Sequence, residues 1–258
     1  QVANALLPGT IPISNLNRPS KPAALAMLAR VYLSMSDYAN AEMYAKSCLI
    51  NYSSLMDYNQ IVVTSKPFPF RSNQVNPEIL YQSNMLVSTS VMKSIVNPSL
   101  LVDSTLYSYY ATDDLRDSFF FTSTPSLKAG YSNQIFPFSG LATDEVYLIK
   151  AECEARNGDP AAKNTLHTLL VNRYKTGTLP ADTATNVLNE VLLERRKELI
   201  SRGLRWTDLK RLNDEGDEIV LMRTIGGMSY TLEPKSPLYV LPIPPDVIML
   251  SGMPQNPR

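Results

Sequence analysis

Two apolar stripes joined by one tight turn constrain this chain more than any other feature. Leu25, Leu28, Ala29 and Tyr32 recur at i, i+3, i+4 and i+7, which predicts a helix with one buried face. Ser20 is placed to cap it, and Pro22 falls in its first turn, where the missing N–H is least harmful. After Ser36-Asp37 a second stripe of Ala41, Ala45, Cys48 and Leu49 begins at once, so the two helices must fold back as an antiparallel hairpin. Against the roughly 34-residue tetratricopeptide pattern, Leu25, Leu28, Ala29, Tyr32, Ala41 and Ala45 occupy its large, large, small, aromatic, small and small positions.

A second hairpin is expected near 143–174. Thr143 precedes Asp144 and Glu145, read as first-turn acids complementing a helix dipole, and Asn157-Gly158 supplies a left-handed stop. Asp159-Pro160 restarts a helix whose apolar side is Leu166, Leu169 and Leu170. Residues 186–202 predict a further helix in which Val187, Leu188, Val191, Leu192 and Leu199 share one sector with Arg195, Glu198 and Arg202. A charge on an apolar face is tolerated only when paired and hydrogen-bonded, so a buried ionic cluster is expected there. Its members are read as Glu194, Arg195, Glu198, Arg205, Asp208 and Arg211, structural rather than catalytic. Prolines at 242, 244, 245, 254 and 257 predict an extended strap for the tail.

The residue inventory removes several function classes. Lys plus Arg and Asp plus Glu are both 24, so the chain has no basic footprint for nucleic acid or an anionic membrane surface. Neither GxGxxG nor GxxxxGK[ST] occurs, and no GxSxG elbow accompanies the single histidine, His167. One histidine and two cysteines 105 residues apart provide no metal-ligand set, so no metal, cofactor or catalytic residue is assigned. Cys48 and Cys153 read as inert buried thiols, with a mutual disulfide as the alternative. No apolar run is long enough to span a membrane. The opening Gln1-Val2-Ala3, without Met or a signal-type run, reads as a fragment or processed product.

Three segments together resemble the SusD/RagB family of outer-membrane nutrient-binding lipoproteins. They are Arg18-Pro19-Ser20-Lys21 with the hairpin from Ala24 to Leu49, Ala142-Thr143-Asp144-Glu145 running to Glu152, and Glu194-Arg195-Arg196-Lys197-Glu198 with Gly203-Leu204-Arg205-Trp206-Thr207-Asp208-Leu209-Lys210-Arg211. Leu241-Pro242-Ile243-Pro244 and Gln255-Asn256-Pro257 match the closing elements of that family, although Arg258 stands where it usually continues with glycine and an aromatic. The resemblance is to the C-terminal half of such proteins, without the lipobox cysteine or the first repeat pairs.

It implies a mainly α fold, a tetratricopeptide-like α-α superhelix with long irregular loop insertions. As one domain over 1–258, its parts would be a helical hairpin at 18–53, aromatic-rich loops at 54–140, a hairpin at 141–175, the Glu-Arg-Arg region at 186–212 and the strap at 213–258. It also implies a surface-exposed lipoprotein of the outer membrane, anchored by lipid in its full-length form. Such a protein captures glycan or related nutrient and passes it to a SusC-like TonB-dependent transporter, without catalysis. A tetratricopeptide-type protein-interaction scaffold and, further off, a glycan-cleaving enzyme are the alternatives.

All seven phenylalanines fall between Phe68 and Phe138, where helical periodicity lapses. Most of them are expected to glue irregular chain to the helices. Tyrosine, with an apolar face and a polar rim, is better suited to stack on a sugar, which makes Tyr107, Tyr109, Tyr110 and Tyr131 the candidate ligand contacts. Asp113-Asp114 reads as a turn rather than a glycosidase pair, because sequence neighbours do not face each other across a sugar.

Overall fold

Helix α1 (Lys21–Ser34) starts where Ser20 accepts a hydrogen bond from the Ala23 amide, with Pro22 in the first turn. Its buried residues include Leu25, Ala26, Ala29 and Leu33, while Leu28 and Tyr32 pack partly covered at the edge. Ser36 turns the chain in a left-handed conformation (φ 57°), and Asp37 caps α2 (Tyr38–Asn51) by accepting from the Asn40 amide at 3.1 Å. Ala41 and Ala45 have no exposed surface, so α2 approaches its neighbours closely, and Tyr32 stacks on Tyr44 with centroids 5.3 Å apart. Added side-chain volume at Ala41 would force an overpacked core, destabilising by about 1–3 kcal/mol.

The computed structural model describes residues 6–61, 76–85, 102–122, 126–127, 131, 136–180 and 186–258. Phe68 and Phe70 of the aromatic stretch lie outside them. Strand β1 (Ile79–Tyr81) pairs antiparallel with β2 (Leu141–Ala142). The stretch expected to be irregular carries two short helices, α3 (Ser104–Tyr107) and α4 (Leu115–Phe120), capped by Asp103 and Asp114. The second hairpin is α5 (Thr143–Arg156) and α6 (Ala161–Leu170), with Gly158 in the left-handed stop at φ 69°. α1 packs on α2, α2 on α5, and α5 on both α6 and α7 (Val187–Glu198). The mainly helical tetratricopeptide-like architecture is therefore present. Its principal core joins α1, α2 and α5 through Leu33, Ala45, Cys48, Ile149 and Cys153. Both cysteines are buried thiols not joined in a disulfide, and Cys48 donates to the Pro22 carbonyl at 3.3 Å.

The chain divides into two units, residues 1–203 and 204–258, with the boundary inside the expected Glu-Arg-Arg region. α7 ends at Glu198, short of the predicted 202, and Ser201 (φ 59°) and Gly203 (φ 76°) turn the chain beyond it. The second unit opens with α8 (Arg205–Glu215), closed by Gly216 at φ 104°. The tail is more structured than an extended strap: β3 (Leu221–Ile225) and β4 (Met228–Leu232) form a hairpin, and α9 spans Pro245–Ser251. Gly226 and Gly227 both adopt positive φ, as a two-residue hairpin loop of matching twist requires. The two closing elements clasp each other. Gln255 accepts from the Ile243 amide and donates to its carbonyl, while Asn256 donates to the Leu241 carbonyl.

Candidate functional site

A buried ionic cluster lies in the first unit and reaches well beyond α7. Asp114 caps α4, and Arg116, two residues on, folds back to pair with it at 2.7 Å. The same guanidinium reaches Glu194 at 2.6 Å and Glu198 at 3.1 Å across 82 residues of sequence. Lys197 bridges Asp114 at 2.9 Å and Glu194 at 2.8 Å. Arg173, in the turn after α6, pairs with Glu198 at 2.8 Å and Glu78 at 2.6 Å, and donates to the Met56 carbonyl. Arg202 donates to Asp144 through both terminal guanidinium nitrogens, and Tyr131 donates its hydroxyl to the Glu78 carboxylate. All these charges are buried.

Burial and pairing compete at each carboxyl. At Asp114 burial acts upward, but Arg116 and then Lys197 outweigh it and hold the group below the usual carboxylate range. Asp144 is held low in the same way by Arg202. At Glu78 burial prevails over the pull of Arg173, and the carboxyl is raised. Lys197 is raised because Glu194 and Asp114 overcome both burial and the adjacent Arg116.

Asp144 and Glu145 are thus more than dipole-complementing acids. Asp144 is the partner of Arg202, and Glu145 takes the Arg30 side chain, which also donates to the Gly140 carbonyl. Of the residues expected in the cluster, Glu194 and Glu198 lie at its centre and Arg195 is buried on the same helix. Arg205, Asp208 and Arg211 belong to the second unit, where Arg211 lies 3.5 Å from Asp208. Sequence reasoning missed Glu78, Asp114, Arg116 and Arg173. The available signal was Asp114 in a capping position, which marks a local helix start and says nothing of its long-range partners.

Glu78, Asp144 and Glu198 bring carboxylate oxygens within 4.8 Å of one another, the spacing of a cation site. Arg173 and Arg202 already occupy that position with positive charge, and Arg116 adds a third guanidinium at Glu198. The counter-cations here are the protein's own side chains.

On this framework sit the four candidate tyrosines. Tyr107 and Tyr110 each meet the Phe121 ring edge-on, at 5.2 and 5.0 Å. Tyr110 donates its hydroxyl to the Lys197 carbonyl at 2.8 Å and lies beneath the Arg116 guanidinium, and burial raises its phenol. Tyr107 is partly covered, and Tyr109 between them is 40% exposed. Tyr131 is set apart: its ring stacks under Arg202 at 3.7 Å and tilts against Phe138, so most of its polar and apolar surface is engaged internally. The structure therefore brings Tyr107 and Tyr110 onto one phenylalanine, leaves Tyr109 open, and builds Tyr131 into the ion network. Asp113 forms an exposed pair with Lys175, whereas its neighbour Asp114 is buried.

Stacked helical hairpins locked by a buried lattice of arginines and carboxylates define a helical scaffold of tetratricopeptide type, with aromatic loops at its margin. The chain belongs to the SusD family, whose model matches residues 109–258. Solved structures with the same fold include a SusD superfamily protein of Bacteroides vulgatus, 22% identical with a TM-score of 0.73, covering 99% of this chain and 62% of that one. A SusD superfamily protein of Bacteroides thetaiotaomicron is 20% identical, with a TM-score of 0.70 and coverage of 100% and 64%. A SusD-like carbohydrate binding protein of Bacteroides vulgatus is 20% identical, with a TM-score of 0.61 and coverage of 96% and 61%. The chain spans less than two thirds of the length of each. No curated protein matches it.

Proposed function

We propose that this chain is part of a non-catalytic glycan-binding protein of the bacterial cell surface, tethered to the outer membrane and handing its ligand to a SusC-like TonB-dependent transporter. The observation that carries the reading is the aromatic group on α3 and its following turn. Tyr109 is open, while Tyr107 and Tyr110 are fixed against Phe121, so a sugar face would meet a ring held in place beforehand. Tyr107 and Tyr109 are the direct contacts in this reading, and Tyr110 and Tyr131 position the surface through Lys197 and Glu78. Family membership and the relative described as carbohydrate binding support the ligand class. The buried carboxylates around Tyr110, namely Asp114, Glu194 and Glu198, are each committed to Arg116, which favours capture over hydrolysis.

The test is a glycan panel on the intact protein, followed by titration of the best binder against Tyr107→Ala with Tyr109→Ala. Loss of two stacking contacts is expected to weaken binding about tenfold or more. Unchanged affinity would retire these contacts, and silence across the panel would retire the ligand class.

A protein-interaction scaffold has one observation in its favour. Met27 and Val31 on α1 and Met35 at its C-terminal cap form an exposed stripe at i, i+4 and i+8. Capture of a transporter in pull-down, with no sugar bound by the panel, would support that role.

A further inference from the structure

The second unit contains a cavity of about 290 Å3 between the C-terminal half of α8 and the segment 235–240. Ligand pockets start near about 300 Å3, so this one has room for one sugar ring rather than a chain. Its lining includes Lys210, Asp214, Lys235, Ser236 and Tyr239. Among the described residues neither lysine has an ion-pair partner, and neither does Asp214. Two ammonium groups and one carboxylate leave the cavity with net positive charge.

Tyr239 adds a further donor. Asn213 binds the Ile219 amide and carbonyl and also donates to the Tyr239 hydroxyl at 3.4 Å. The phenol oxygen thus acts as acceptor toward Asn213, and its own proton is left to donate elsewhere. One helical turn before Lys210, Trp206 is 42% exposed and rests on the Tyr239 ring at 4.8 Å. The wall therefore combines one aromatic ring, Tyr239, backed by Trp206 from outside the lining, with three donors, against Asp214 and the Ser236 hydroxyl as side-chain acceptors.

We propose that this cavity is a second saccharide subsite that takes an anionic sugar unit, carboxylated or sulfated. The Tyr239 ring borders the sugar, Lys210 and Lys235 hold the anionic group, the Tyr239 hydroxyl donates to it or to a neighbouring oxygen, and Asp214 accepts from ring hydroxyls. The assignment rests on the reading of the protein as a glycan binder, but it uses none of the tyrosines named for that reading.

Trp206 is the sole tryptophan of the chain and packs on the lining residue Tyr239, so its fluorescence reports on this cavity through that contact. The experiment titrates glucuronic acid, glucose 6-sulfate and methyl glucoside separately into the full chain, with calorimetry alongside. A saturable fluorescence change is expected with one or both charged sugars and none with methyl glucoside, and the responding anion identifies the group bound. Binding should weaken about five- to tenfold in Lys210→Gln with Lys235→Gln. It should also weaken between about 0.1 M and about 1 M salt, where the screening length falls from about 10 to about 3 Å. Both lysines are exposed, so the variant should melt with the parent. Charged sugars that leave fluorescence and heat flat, or that bind the variant as tightly as the parent, overturn the proposal. If neutral glycans then still bind through Tyr107 and Tyr109, only the subsite falls, whereas silence of every glycan removes both readings.

Discussion

Replacing Arg173 by alanine tests the central packing claim. Its guanidinium is fully buried, pairs with Glu78 and Glu198, donates to the Met56 carbonyl and lies 4.3 Å from the centre of the Tyr58 ring. Glu198 keeps Arg116, but Glu78 loses its only ion-pair partner among the described residues. Removing one partner of a buried pair destabilises by about 3–5 kcal/mol, since the other charge is stranded. For a chain of this size that corresponds to a fall of about 6–20 °C in Tm.

The loss should also depend on pH in a defined direction. Burial already raises the Glu78 carboxyl above its ordinary range, with Arg173 pulling against it. Between the unfolded and folded values the native state holds the extra proton, so stability falls as pH rises through that window. Without Arg173 the window extends upward, and the deficit should shrink as the pH is lowered from about 7.5 to about 5.5. Asp114 and Asp144 do not obscure this, because their contribution declines only as pH falls below their unfolded range, near 3.8. Calorimetry of both proteins at the two pH values is the assay. A variant melting within about 2 °C of the parent, or one whose deficit grows on acidification, would refute the reasoning.

Gly140 gives a steric counterpart. A Cβ there would lie 2.0 Å from the Tyr81 carbonyl oxygen and 2.6 Å from the Phe138 ring, so Gly140→Ala should destabilise by about 1–3 kcal/mol or more, read as a lower denaturation midpoint with unchanged slope. An unchanged midpoint would show that β1 and β2 can part there without penalty. Cys48 should be inert in the folded protein, since burial pushes its thiol up to about 12. A disulfide reagent at about pH 8 should modify it only after denaturant is added, and stoichiometric labelling in native buffer would contradict the packing of α1 on α2.

What could be read from the sequence was what is local. The α1–α2 hairpin was visible because Leu25, Ala29, Ala41 and Ala45 repeat at helical spacing and the Ser36-Asp37 turn lies between them. Glu194 and Glu198 were legible as buried charges because they share a helix with Val191. Arg116 and Arg173 were not, because each sits where periodicity gives no face, and the partners Glu198 and Glu78 that tie them across the chain lie 82, 25 and 95 residues away. The β3–β4 hairpin has a local signal in Gly226-Gly227, which the proline count of the tail does not carry. Residue chemistry alone points to the four tyrosines, and it cannot separate a ring under Arg202 from one open to water.

The arginine and carboxylate lattice also bears on how the first unit assembles. Its members arrive from the turn before β1, from α4, from the turn after α6 and from α7, and a subset brought together early would bury charge without its mate. Half-built forms are thereby disfavoured, and unfolding should proceed in a single concerted step, leaving a protease few frayed species to attack.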